Sequence, residues 1–494
     1  MKINDTTRII IAFVLIMVVL LAWQTLTPKR KPAQVPITTT TETTKTNTQP
    51  ATIAQTPPSM VNKIIPATET ENVLENAKFR ITFSSLGGTI KSIYLKKYKA
   101  ELIPPDSRVL DIQIVNDSIG TKNWQVTYQD ESTLVYQGQF RKIYRFYQDY
   151  TLKLFLEPIS GTLPDYQINF DAGLGMTEAN KKDEYKHFAL FYQIPLKTNK
   201  VSANKIKTPT VTDVQWVGLK SKYFTSILSG AGKATVNIMP LTDGRIGYVY
   251  KPADKTTSVY TLYFGPLDFD LLKSYKLGWE ALNDLGWTKI FSIAILKILL
   301  FLYKIFKNYG IVIIVFSIIM KAIFYPLTRM STKQMQQMQM LQPKIGELKK
   351  KYKGDAQALN RETMALYRVY KINPFSGCLP LVFQMPIFWA LYAVLQKTIE
   401  LRQANFIFWI KDLSLKDPIY VLPILMGVSF LVQNFLTTAD KKNMALLIFM
   451  PIFLTVIFLN FPSGLQLYWL IFNLLSIVES IIARGGIKWK TLKT

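Results

Sequence analysis

The 494-residue chain has one cysteine, Cys378, and one histidine, His187. A disulfide framework within one chain and a Cys/His zinc cluster are therefore excluded. A histidine-based triad would have to be built on His187 alone, and nothing near it in sequence suggests a serine elbow. No metal, nucleotide or other cofactor is expected. Acidic residues are also scarce, with 33 Asp and Glu against 59 Lys and Arg, a formal net charge of +26. That balance suits a protein that meets anionic lipid headgroups, RNA or acidic protein segments, provided the charge is clustered.

Long apolar runs, by contrast, are plentiful. Residues 9–26 (IIIAFVLIMVVLLAWQTL) match the ~20 residues needed to cross the hydrocarbon core. No A-x-A-like small-residue site and no lipoprotein-type cysteine follow, so an uncleaved anchor is expected after a short N-terminus, 1–8. Residues 27–60, dominated by Thr, Pro, Gln and Lys, hold too few apolar side chains to offset the entropy of ordering and read as a tether. From 61 to 276 short alternating runs such as KFRITFSS and YTLKLFLEP are broken by Gly, Pro, Asn and Asp. They predict a largely antiparallel β domain, a sandwich by preference.

After Gly278 the period becomes helical. The segment 277–308 is apolar but interrupted by Lys289, Lys297, Lys304 and Lys307, which fits a helix lying at an interface. Five further apolar stretches, 309–327, 377–395, 419–436, 445–461 and 465–482, bring the expected spans to six. Basic residues crowd the loop from Arg329 to Lys371 and are sparser between the third and fourth spans, so the first of these loops is placed in the cytoplasm. Both termini, including the short basic tail 484–494, then fall on that side and the β domain on the other. Within the basic segment (328–375) two stripes, Met335, Met338, Leu341, Ile345, Leu348 and Leu359, Thr363, Leu366, Tyr370, predict a helical hairpin. Pro343 should mark a kink or a change of direction in it.

One spanning segment carries a cation. Lys321 lies about two-thirds of the way toward the cytoplasmic end of the second span, roughly 10 Å from the interface at 1.5 Å per residue. Two readings stand open: a snorkelling anchor, or a charge facing a wet cavity among the helices. Ser317, four residues earlier, shares its face and favours a polar groove. Glu479, near the cytoplasmic end of the last span, could pair with Lys321, but snorkelling is the preferred reading. A solute transporter with an exported ligand-capturing domain is the rival function, although neither inverted repeats nor broken midplane helices stand out.

The stretches YPLT, LQPKI, MALYR, NPFSGCLPL, QMPIFWALY, ELRQANF, DPIYVLPILMG and FPSGLQLYW run in order from Tyr325 to Trp469. Together they resemble the YidC family of bacterial membrane protein insertases. Weaker agreement extends forward through YFGPLDFDLL, WVGLKSKYFTSI and GGTI. The resemblance implies a polytopic inner-membrane protein with six transmembrane helices, five forming a conserved core (the last four within 376–483), and a large periplasmic all-β supersandwich. It also implies an amphipathic helix on the periplasmic surface and a hydrophilic groove open to cytoplasm and lipid. Carried over by position, the groove residues are Ser317, Lys321, Phe388, Met426, Ile457 and Trp469. The implied activity is insertion and folding of inner-membrane proteins, alone or with the Sec translocon, without an enzymatic step. Implied partners are nascent membrane proteins, Sec components, and a ribosome or targeting factors at the hairpin; its basic charge adds anionic lipids. The family usually has arginine where this chain has Lys321, and aromatic residues are common at the positions of Ile457 and Trp469. Its β domain resembles folds that include sugar-binding and mutarotase enzymes, but one histidine cannot supply an acid/base pair, which leaves a scaffold and docking surface.

Overall fold

The structure, a computed structural model, describes residues 69–114, 123–195, 197–202, 209–241, 243–254, 258–373, 379–437 and 444–485. The expected anchor, the tether, residues 61–68 and the tail beyond 485 lie outside these.

The β domain contains two antiparallel sheets. The smaller runs in order through β1 (Glu71–Glu75), β2 (Phe79–Ser84), β3 (Thr89–Leu95) and β4 (Ala100–Glu101). The larger is built from β5 (Asp111–Ile114), β6 (Gln125–Gln129), β7 (Thr133–Gln137), β8 (Phe140–Phe146), β9 (Thr151–Pro158), β10 (Tyr166–Phe170), β11 (Ala189–Ile194), β12 (Lys197–Ser202), β13 (Thr210–Lys220), β14 (Phe224–Pro240), β15 (Ile246–Pro252) and β16 (Val259–Pro266). The alternation seen in sequence is the alternation of burial: Phe79, Ile81 and Phe83 of β2, within the run KFRITFSS, are buried, while Arg80 is exposed and Thr82 half-buried. β14 has two partners along one edge, pairing β16 with Phe224–Gly230 and β15 with Ala234–Pro240. Gly230 stands where they change over, and a Cβ there would come within 2.6 Å of the Tyr250 hydroxyl.

The small sheet packs on β8. Phe83 meets Tyr144 at 4.7 Å between ring centroids, and Phe79 meets Phe146 at 5.1 Å. The turn Gly87–Gly88, with φ of 68° and 57°, needs glycine for its left-handed backbone. Its carbonyls accept from the Lys142 ammonium and, at 2.7 Å, from the Tyr144 hydroxyl.

Among the described residues eight helices of eight residues or more follow: α1 (Lys289–Phe306), α2 (Tyr309–Met340), α3 (Gln342–Lys351), α4 (Ala356–Val369), α5 (Leu379–Lys397), α6 (Val421–Thr437), α7 (Met444–Phe458) and α8 (Ser463–Gly485). α2 and the stretch Ser463–Ile482 of α8 are long and apolar enough to cross a membrane; the apolar stretches Val421–Leu436 and Leu447–Phe458 are shorter. The second span is expected over 309–327, and the helix that contains it, α2, continues to Met340 through Pro326. The helix breaks at Leu341, and Pro343 sits in the first turn of α3, where its missing N–H costs no helical bond. The first arm of the hairpin is therefore continuous with α2. Leu341, Ile345 and Ile372 form its small core, flanked by Met338, Leu366 and Tyr370.

The expected interfacial segment contains α1. One stripe, Ile295, Leu296, Leu299 and Leu302, packs into the helical core, while Ile290, Phe301 and Ile305 are exposed among the lysines. Asn308 caps α2 by accepting from Gly310 and Ile311 N–H groups. Asp417, fully buried, accepts from the N–H groups of Ile419 and Leu422 at the start of α6 and from the Trp409 indole at 3.0 Å.

The segment after α5 ties the helices to the β domain. Arg402, with 5% of its side chain exposed, donates to Glu178 at 2.7 Å and to the Tyr98 carbonyl at 3.0 Å. Lys397 donates to the Asp284 carbonyl at 2.7 Å, Tyr223 to Ser414 at 3.3 Å, and Ile399 joins the β-domain core.

Two buried lysines make the stability of the β domain pH-dependent. Burial pushes the Lys142 and Lys220 ammonium groups down to about 7 from an ordinary 10.5. Above about 7 the folded chain releases protons that the unfolded chain keeps until about 10.5, so stability rises with pH through that window. The melting temperature of the full-length protein's β domain in detergent should climb between pH 7 and 9.5, and Lys142→Met should reduce the climb without abolishing it. A melting temperature that falls over this range would contradict the assignment.

Candidate functional site

The first residue to place is Lys321. It is 8% exposed, and its ammonium points inward from α2 toward α8. There it donates to Ser476 Oγ at 2.8 Å, lies 2.6 Å from Glu479 Oε2 and sits 5.0 Å from the centroid of the Phe472 ring. Phe472, Ser476 and Glu479 are spaced i, i+4, i+7 and so form one stripe of α8. The Thr328 hydroxyl, two turns down α2 from Lys321, lies 3.1 Å from each Glu479 carboxylate oxygen. One lysine and one threonine on α2 thus hold one carboxylate on α8.

This geometry overturns the snorkelling reading for both charges. A snorkelling side chain lays its stem on apolar surface and lifts its charge into water. Here each charged head is within hydrogen-bond reach of a group on the facing helix, and both side chains are about one-tenth exposed. The low dielectric between helices makes that attraction strong and an unpartnered charge costly.

The pair lines a cavity of about 320 Å³ enclosed by α2, α5, α6 and α8. Within its polar lining Gln384 of α5 donates to the Tyr468 hydroxyl of α8, and Asn473 of the lining donates to Ser429 Oγ of α6 at 3.2 Å. Trp469 closes one end within an aromatic cluster, with ring centroids 5.2 Å from Phe388, 5.3 Å from Phe458 and 5.9 Å from Phe430. The cavity therefore has a cation, a carboxylate, amides and hydroxyls on one side and rings on the other. Such a lining can hold water and short polar chain segments inside an apolar bundle.

Of the six residues expected at the site, Lys321 and Trp469 line this cavity. Phe388 stands behind Trp469 and supports it edge-on. Ser317 is fully buried, and its hydroxyl is turned back onto the Ile313 carbonyl at 2.7 Å, so it shares a helix face with Lys321 without lining the cavity. Met426 is fully buried in the core of the helices, and Ile457 is 38% exposed on α7, away from the lining. Glu479, Ser476, Thr328 and Gln384 were not chosen from sequence. The signal that could have found them is the polar stripe Ser476, Glu479 on α8 facing the stripe Lys321, Thr328 on α2.

His187 gives no support to an acid/base site. Burial, with Lys222 nearby, pushes its imidazole down to about 4. It stays neutral through the physiological range.

Removing either charge strands the other. Lys321→Gln and Glu479→Gln should each lower the stability of the helical core by about 3–5 kcal/mol, and the double variant should lose less than the sum by about 1 kcal/mol or more. Unfolding in mixed detergent micelles reads this; strict additivity would mean that the two groups do not interact.

A family model described as 60Kd inner membrane protein matches residues 301–490, and one described as YidC periplasmic domain matches residues 120–298. A Geobacter metallireducens protein named Membrane protein insertase YidC is 43% identical over 275 residues, 53% of this chain and 51% of the relative. Its namesake from Geotalea uraniireducens is 34% identical over 457 residues, 82% of this chain and 85% of the relative. A crystal structure titled as an active YidC insertase with its first transmembrane domain resolved is 20% identical, with a TM-score of 0.41 over 86% of this chain and 94% of that one.

Proposed function

The chain belongs to the YidC family of membrane protein insertases, a family of inner-membrane proteins with a periplasmic domain and not a family of enzymes, and from that premise we propose a role for its buried charges. Lys321 is the groove cation that receives an acidic or polar segment of an incoming membrane protein, and Glu479 is the resident carboxylate which that segment displaces. The observation that carries this reading is a lysine ammonium held inside the helical core, in a cavity lined by amides and hydroxyls. A charge in such a place is stable only while paired, so it exchanges one carboxylate for another more readily than it stays bare.

We read six spans, with both termini in the cytoplasm and α1 lying on the periplasmic surface. The α3–α4 hairpin is then cytoplasmic. Its tip carries Lys349, Lys350 and Lys351, and Met364 and Val369 of α4 are exposed. That surface suits a ribosome, a targeting factor or a nascent chain, and contact with the Sec translocon falls to other faces. The client's polar segment enters the cavity beside Lys321 while its apolar segment follows the exposed side chains Phe383 and Trp389 of α5 and Ile452 and Val456 of α7. Apolar burial in lipid, at about 25 cal/mol per Å², drives its departure. No nucleotide, metal or covalent step is needed.

The reading predicts an order among variants in a strain depleted of its own insertase. Lys321→Ala and Lys321→Glu should lose most insertion of a client with a short acidic exported tail. Lys321→Arg should retain it, since the charge remains and the planar guanidinium adds donors. Glu479→Gln should increase photocrosslinking of the acidic tail to Lys321's neighbours, because the competing carboxylate is gone. Equal insertion by wild type, Lys321→Ala and Lys321→Glu would remove the groove cation from the mechanism.

A further inference from the structure

The Lys321–Glu479 pair has a second cavity on its other side. It measures about 600 Å³, and among the described residues only α2 and α8 line it. Arg329 and Lys333 of α2, one helical turn apart on one face, stand at one end, with Tyr325 a turn above them. Val478 and Ile482 of α8, 52% and 70% exposed, form an apolar strip along the other wall. Glu479 also reaches this cavity, but its carboxylate is engaged by Lys321 at 2.6 Å and so repels an anion only weakly.

We propose that this crevice binds one anionic phospholipid, with its phosphate between Arg329 and Lys333 and an acyl chain along Val478 and Ile482. The shape is that of an amphiphile: two cations at one end and exposed aliphatic side chains at the other, within the volume range of small-molecule sites. Arg329 lies two turns beyond Lys321, about 12 Å along the helix, which is headgroup depth in the topology proposed above. The level of the phosphate rests on that topology; the complementarity of the site does not. A zwitterionic choline headgroup would set its own cation against Arg329 and Lys333. An acidic protein segment would satisfy the two cations but leave the Val478–Ile482 strip unused. The bound lipid would lie against the outer side of the buried pair, opposite the cavity that admits client.

Native mass spectrometry of the full-length protein, in detergent micelles with equimolar phosphatidylglycerol and phosphatidylcholine, tests the site. Wild type should retain phosphatidylglycerol selectively. Arg329→Gln and Lys333→Gln should each reduce that retention about fivefold, the loss expected for one surface cation near an anionic headgroup. A hairpin variant carrying Lys349→Gln, Lys350→Gln and Lys351→Gln should retain as much as wild type. Retention unchanged in Arg329→Gln/Lys333→Gln, or lost equally in the hairpin variant, would overturn the site in favour of diffuse attraction. Displacement of the lipid by a glutamate-rich peptide without an acyl chain, at equal concentration, would also overturn it and assign the crevice to client. Lipid retention is read without any insertion step, so failure of the Lys321 mechanism would leave this result standing.

Discussion

A charged ammonium between apolar helices is stable only if something opposite holds it, and in this protein that requirement ties α2 to α8. Lys321 on α2 and Glu479 on α8 lie 2.6 Å apart, with Thr328 and Ser476 taking up remaining hydrogen-bonding capacity on either side. Sliding either helix by a turn, about 5.4 Å, would break every one of these contacts at once. The pair thus sets the register of two helices and the position of the polar cavity between them. The same contacts make the site responsive, because a partner that replaces Glu479 changes what holds α8 against α2.

A similar requirement operates where the β domain meets the helices. Arg402 is nearly inaccessible, and its guanidinium is satisfied by Glu178 and the Tyr98 carbonyl, both contributed by the β domain. Lys397 and Ser414 add contacts to either side of it. Lys397 and Arg402, which in a sequence count merely weigh on the orientation of the spans, are engaged inside the protein, whereas Lys411 and Lys416 of the same loop stay exposed. Within the β domain, buried Lys142 and Tyr144 are likewise met by backbone carbonyls, those of Gly87 and Gly88.

Much of this architecture was legible beforehand. Alternation such as KFRITFSS identifies a half-buried strand because side chains on a strand change face at every residue. Apolar length marks α2 and α8 as able to cross a membrane because hydrocarbon thickness sets the length required. The hairpin stripe through Leu341, Ile345 and Leu366 was also visible, since helical neighbours recur every three or four residues. The continuity of α2 with the hairpin was not. Proline removes one hydrogen bond, a loss that a long helix flanked by others can absorb, and α2 runs through Pro326 to Met340.

The residues of the site divide in the same way. Lys321 stands out by its own chemistry, because a charge inside an apolar run is costly whatever surrounds it. Glu479 does not, since a carboxylate near a helix end has two inexpensive solutions, to snorkel or to pair, and only the facing helix decides between them. Ser317 shows the converse: its spacing from Lys321 is right, yet its hydroxyl satisfies its own helix. Sequence alone determined the β domain, the apolar helices and the presence of a cation within an apolar run, each dictated by local period or by the cost of a lone charge; that the cation is buried and not lifted to the interface is a result of packing. Tertiary packing decided which carboxylate meets that cation and which residues line the cavity, because those depend on helix rotation and register between Lys321 and Ser476, positions separated by 155 in the sequence.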